Sequence, residues 1–233
     1  MRQIVLDTET TGLETADGHR IIEVGCIEMV DRRVTGEQFH RYVNPEREID
    51  AGALEVHGLD ADFLAGKPRF GDVVGEFLEF VRDAQLIIHN APFDVGFLDY
   101  ELSLAGPDWG RVEDHCSVLD TLDLARRTHP GMKNSLDALC KRYLVDNTGR
   151  TLHGALLDAQ LLAEVYLAMT GGQTAISFGT PESRRKAREK AGGGEALPEV
   201  LVVKAGEAEL AAHEKRLATI REQAGHCVWD ELE

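Results

Sequence analysis

The sequence has no apolar run approaching the roughly 20 residues that span a bilayer, so no membrane helix is expected. Its start, Met1-Arg-Gln-Ile-Val-Leu-Asp7, reaches an acidic residue too early for a secretory hydrophobic region, and cytoplasmic residence is the expectation. Cysteine is scarce and scattered. Cys26, Cys116, Cys140 and Cys227 form no Cys-x-x-Cys pair, which argues against a zinc knuckle or a disulfide framework. Basic charge is also short. Lys and Arg number 25 against 41 Asp and Glu, a formal charge of -16, which is the opposite of the footprint of a self-sufficient nucleic-acid binder. What is present is ordinary: 233 residues, 43% hydrophobic and 28% charged, enough for one well-buried domain with an appendage.

Gln3-Ile-Val-Leu-Asp-Thr-Glu9 is an apolar run that ends in acidic residues and reads as a buried strand running into a loop. Arg20 to Val30 and Gln38 to Val43 are strand-like, and their short connections favour antiparallel pairing. Val73 to Val81 has helical spacing, and Gln85-Leu-Ile-Ile-His89 reads as another buried strand. Asn90 is expected to cap the next helix, with Pro92 in its first turn. Beyond Gly106 helices are expected to dominate. One covers about Val118 to Arg127, one starts near Ser135, and a long one ends at Gly171-Gly172. The pattern predicts an α/β domain with a mixed sheet, its first three strands antiparallel, flanked by helices.

After Gly172 the composition shifts. Ser183 to Lys190 is charged and Gly192-Gly-Gly194 is a flexible-linker signal. Leu201-Val-Val203 reads as a short strand and Glu207 to Gln223 as a helix. The expected division is 1–171, a domain; 172–198, a linker; and 199–233, a tail.

Asp7 and Glu9, two apart on a strand, share a face. Paired carboxylates repel unless cations lie between them, and oxygen-only ligands suit magnesium or manganese. Asp94 follows His89-Asn-Ala-Pro-Phe93 in the first turn of a helix, where the helix dipole favours a carboxylate with or without further role. Phe93, Phe97 and Leu98 read as core contacts. His153 and Asp158 are five apart, roughly 140° on a regular helix, so one helical face does not present both. His153 is expected on a loop or first turn and Asp158 on the inner face of the helix. A capping His and a surface Asp are the plainer alternative.

The order Asp-x-Glu, then Asp after His-Asn, then His-x4-Asp resembles the DEDDh exonucleases, a superfamily of ribonuclease-H-like fold, over about Met1 to Thr170. The resemblance implies two divalent cations, Mg2+ or Mn2+, held by Asp7, Glu9, Asp94 and Asp158, with His153 taking a proton from the attacking water. Val5-Leu-Asp-Thr-Glu-Thr-Thr-Gly12, Val56-His-Gly58 and Asn134-Ser-Leu-Asp-Ala-Leu-Cys140 are similar to the proofreading epsilon subunits of bacterial DNA polymerase III. Within that family a His at the position of His57 lies near the terminal nucleotide; a loop histidine is its plain alternative. Substrate contacts are thereby implied for Asp7, Glu9, His57 and Asp158. The Glu that some relatives carry upstream of Val-His-Gly falls here at Gly52.

Gln173-Thr-Ala-Ile-Ser-Phe178 is similar to the motif by which epsilon subunits dock on the sliding clamp, with Gln173, Ile176 and Phe178 as anchors. The stretch Val200 to Trp229, with Leu201, Val203 and Trp229, resembles the part that binds the polymerase alpha subunit. A small theta-like subunit is a further implied partner. Together, bound cations and tethering would reconcile an acidic chain with a DNA 3′ end as substrate. An exoribonuclease that trims RNA 3′ ends and a non-catalytic scaffold are the alternatives. The tail argues against the first, and the intact carboxylate set against the second.

Overall fold

The computed structural model describes residues 1–148, 152–171, 205–225, 227 and 229. The chain divides into two units, Met1–Ile176 and Ser177–Glu233. The first is built on a five-stranded sheet. Its strands are β1 (Arg2–Thr10), β2 (Ile21–Val30), β3 (Arg33–Tyr42), β4 (Gln85–Ile88) and β5 (Ser117–Asp120). Their order is β3-β2-β1-β4-β5. β1–β2 and β2–β3 pair antiparallel, β1–β4 and β4–β5 parallel. The helices of this unit are α1 (Ala51–His57), α2 (Ala61–Ala65), α3 (Phe70–Val81), α4 (Ala91–Ala105), α5 (Val112–His115), α6 (Thr121–Thr128), α7 (Leu136–Tyr143) and α8 (Ala155–Thr170). In the second unit α9 (Glu207–Ala224) matches the helix expected there. Among the described residues no helix is long and apolar enough to cross a membrane.

The period of two along each strand sorts side chains between two cores. Ile4, Leu6, Leu86 and Ile88 pack with Phe70, Phe77, Phe97 and Leu98 of α3 and α4. Val5, Ile27, Met29 and Ile87 face the other way, onto Ala159, Leu162, Ala163 and Tyr166 of α8. α6 and α7 close a further layer behind α8, through Ala125, Leu139 and Cys140 against Leu161, Val165 and Met169. In β1, Asp7 and Glu9 fall in register with Val5 and so lie on the α8 face. Thr8 lies on the α4 face.

Two expectations change. The helix over Val118–Arg127 is instead a four-residue strand, β5, followed by α6. Its Ser-Val-Leu-Asp is only half-buried and too short to show a period, and Asp120 stops it by accepting from Leu122 N–H at 2.8 Å as the α6 cap. β3 begins at Arg33 rather than Gln38, because its first half is an exposed, polar edge with no hydrophobic alternation.

Gly25 carries a specific packing constraint. It pairs with Asp7 across β1–β2. A Cβ there would stand 2.3–2.5 Å from the backbone of Ala155 and Leu156. The absent side chain lets the first turn of α8 lie directly on the sheet, which brings Asp158 to Asp7 and Glu9. Gly25→Ala is expected to cost about 1–3 kcal/mol by overpacking, measured by denaturant unfolding, and to weaken divalent-cation binding in calorimetry more than that loss of folded protein accounts for.

Candidate active site

Asp7, Glu9, Asp94, His153 and Asp158 line one cavity, together with His89, Asn90 and Phe93. It opens where the parallel strands β1 and β4 end, the edge at which open α/β sheets place ligands. Glu9, Asp94 and Asp158 are buried, Asp7 is half-buried and His153 is exposed. As expected from the spacing, His153 precedes α8 on a loop and Asp158 is on the buried face of that helix's first turn.

Each side chain is held from a different part of the chain. Asp94 Oδ1 accepts from Thr8 Oγ1 at 2.7 Å and from Thr8 N at 3.1 Å, which ties α4 to β1. Farther along α4, buried Glu101 accepts from Arg20 Nε at 2.8 Å and Nη2 at 2.6 Å and from Ile21 N at 3.1 Å. This bidentate pair fixes the helix at the start of β2. Burial pushes the Asp94 carboxyl up to about 7, against the Thr8 hydrogen bonds that lower it.

His153 Nδ1 lies 3.3 Å from Asp158 Oδ2. Its backbone N–H donates to Val56 O at 3.0 Å, so the loop before α8 is fastened to α1. Gly58 completes the fastening, with φ at +71° and a Leu152 methyl 2.7 Å from where a Cβ would stand. The Val56-His-Gly58 motif thus positions His153 as well as His57.

His57 ends α1 and lines a neighbouring cavity of about 440 Å³ that shares Thr8, Glu9 and Phe93 with the first. Its Nδ1 accepts from Leu59 N–H at 3.0 Å, which puts the neutral ring's proton on the buried Nε2. Burial lowers its pKa, against the Glu23 carboxylate and the Thr10 carbonyl, which raise it. Gly52 lines the same cavity with open space where a side chain would be.

Asn90 stands at the N-cap of α4 but does not cap with its side chain. Its φ is +70°, its N–H donates to Asp120 Oδ1 at 3.1 Å, and its carbonyl accepts from Phe93 N–H. Phe93, expected in the core, packs there only in part, 4.9 Å from the Phe97 ring centroid, and its remainder walls both cavities. The sequence signal for this was its place one residue before Asp94 on a helix whose inward face is Asp94, Phe97 and Leu98. Of the tail residues, Gln173, Ile176, Phe178, Leu201 and Val203 lie outside the described residues. Trp229 is 61% exposed and meets His213 edge-on at 5.8 Å.

The donor set fits a hard divalent cation. Ligand atoms of Glu9, His153 and Asp158 lie within 4.8 Å of one another, and Asp7 and Asp94 line the same cavity. Buried carboxylates that converge in this way are stable as anions only with positive charge among them.

Such a cavity at the strand ends of a mixed sheet defines a metal-dependent nuclease, and the chain belongs to the exonuclease family whose model matches residues 4–166. Within it, the chain is a member of the DNA polymerase III epsilon subunits. It is 51% identical to that subunit of Salmonella typhimurium and 49% identical to that of Escherichia coli K12, each over 98% of this chain and 97% of the relative. It is similar to exonuclease X, solved with 5′-overhanging duplex DNA, at 26% identity and a TM-score of 0.57 over 73% of this chain and 92% of that one. E. coli exonuclease I with single-stranded DNA shares the fold at 19% identity, with a TM-score of 0.63 over 75% of this chain and 41% of that one.

Two outcomes follow from the site's electrostatics. Mn2+ is expected to raise the Tm of metal-free protein in proportion to the logarithm of its concentration, and Asp158→Asn to abolish most of that shift in a thermal melt. Thr8→Val, which removes the 2.7 Å donor to Asp94, is expected to weaken Mn2+ binding about 10–100-fold by calorimetry while leaving the fold intact.

Proposed function

We propose that this chain is the proofreading 3′→5′ exonuclease of a bacterial-type replicative DNA polymerase, removing mispaired nucleotides from nascent 3′ ends and releasing nucleoside 5′-monophosphates. The observation that carries this reading is the convergence of Asp7, Glu9, Asp94, His153 and Asp158 on one cavity from three distant segments. Asp7, Glu9, Asp94 and Asp158, which line that cavity, would hold the metals through their carboxylate oxygens. Bound there, two divalent cations, Mg2+ or Mn2+, supply the positive charge that activates water and stabilises the developing charge of an in-line displacement.

Asp158 orients the His153 ring through Nδ1, which leaves Nε2 to take the proton of the attacking water. The loop position of His153 lets it approach and withdraw, while its backbone tie to Val56 limits the range of that movement. Thr8 holds Asp94 against rotation, so the ligand geometry is set before substrate arrives. The cavity lined by His57, Val56, Ala53 and Phe93 takes the terminal nucleoside. Burial lowers the His57 pKa, which favours the neutral ring with its one N–H donor.

The nuclease domain is residues 1–171. Within 172–198, Gln173, Ile176 and Phe178 bind the sliding clamp, and the tail 199–233 binds the polymerase alpha subunit through Leu201, Val203 and Trp229. A theta-like subunit is a further candidate partner, and the assembly works in the cytoplasm. Tethering in this way raises the local concentration of primer ends for an acidic nuclease. With magnesium and a labelled mispaired primer-template, the wild type is expected to shorten the primer from its 3′ end. Asp7→Ala is expected to lower the rate by at least about a thousandfold, consistent with loss of metal catalysis. Equal digestion by the variant would remove the basis of the assignment.

A further inference from the structure

Three openings form a row along the sheet's end. The cavity with His57 shares Thr8, Glu9 and Phe93 with the carboxylate cavity. The carboxylate cavity shares His89, Asn90 and Leu136 with a third groove. The first and third share no residue, so the carboxylates stand between them. A phosphodiester cleaved at the carboxylates therefore has one flanking nucleotide in each outer opening.

Charge decides which goes where. The His57 cavity is lined by Glu9 and Asp50, with no Lys or Arg. It accepts a group that brings no phosphate beyond the scissile one, which describes a 3′-terminal nucleoside. The third groove has no carboxylate in its lining and contains Arg126, an exposed residue at the last turn of α6. Arg126 has no hydrogen-bond or ion-pair partner among the described residues, unlike its neighbour Arg127, which pairs with Asp123. In a chain of net charge -16, an uncommitted guanidinium beside a carboxylate cavity is an anion site. The nucleotide next to the scissile bond carries its own 5′ phosphate and needs such a cation. Asn90 and exposed Met132 supply polar and apolar wall for its sugar and base.

Building on the exonuclease reading, we infer that the groove formed by Asn90, Arg126, Met132 and Asn134 binds the penultimate nucleotide of the DNA strand, with Arg126 on its 5′ phosphate. The juxtaposition sets the strand's direction through the site: acidic cavity for the free 3′ end, basic groove for the chain that continues.

Two substrates separate this contact from catalysis. The p-nitrophenyl ester of thymidine 5′-monophosphate fills the terminal cavity and the scissile position but has no penultimate nucleotide; a single-stranded oligodeoxynucleotide has both. Arg126→Ala is expected to raise KM for the oligonucleotide about tenfold, as one charge-assisted phosphate contact would. The slope of log KM against log salt should fall by about 1. With the ester, kcat/KM should stay within twofold of wild type. Arg126→Lys should recover much of the oligonucleotide KM, and Arg127→Ala should match wild type on both substrates. Equal losses on both substrates, or an unchanged oligonucleotide KM and salt slope, would overturn the assignment of the groove. Failure of the wild type to hydrolyse either substrate would overturn the exonuclease reading, and this inference with it.

Discussion

Mutual repulsion among Asp7, Glu9, Asp94 and Asp158 is the constraint around which the first unit is organised. Carboxylates gathered in a poorly hydrated cavity favour protonation, dispersal or bound cations, and at Asp94 burial alone already favours the protonated form. The surrounding structure prevents dispersal. Thr8 grips Asp94, Glu101 and Arg20 brace α4, and α8 lies on the sheet at Gly25. Protonation and bound cations are left as the means of relief, so metal binding displaces protons from a site that the packing holds in place. Rigidity here is what gives the site its chemistry.

The parity of β1 explains how one short strand serves both sides of the site. Odd positions Val5, Asp7 and Glu9 face α8, so a single face passes from core to ligand set without a change in backbone. Even positions Ile4, Leu6 and Thr8 face α4, and Thr8 carries the hydroxyl that steadies the third carboxylate. A one-residue slip in β1–β2 register would exchange the two sets. Nine residue pairs with β2, with Gly25 opposite Asp7, make such a slip costly.

Much of this was legible in the sequence because it depends on local pattern. Asp7 and Glu9 share a face by the period of two alone, and the five-residue gap from His153 to Asp158 already implied a loop and a helix. β1, β2 and β4 announced themselves as apolar runs. Elements without a period were not legible: the exposed half of β3, the four residues of β5, and α1, whose Ala-Gly-Ala start carries little helix signal. Long-range consequences were hidden as well. The left-handed backbone at Asn90 is set by Asp120, thirty residues on, and Phe93 faces two cavities that exist only once α1 and α4 are packed. Gly12, within a motif noted for its resemblance, is needed because the buried His19 ring would lie 2.3 Å from its Cβ.

The acidity of the chain, at first sight an obstacle to handling DNA, becomes part of its selectivity. A basic surface would hold duplex and single strand alike through phosphate charge. With carboxylates lining the terminal cavity and Arg126 in the groove beyond the scissile position, a strand end with a free 3′ side matches the charge on both sides. A paired terminus has to separate before its last nucleoside reaches that cavity, and a mismatched end separates at lower cost. Discrimination then arises mainly from the stability of the primer end. On the proposed tethering, the protein needs only a weak general affinity for DNA.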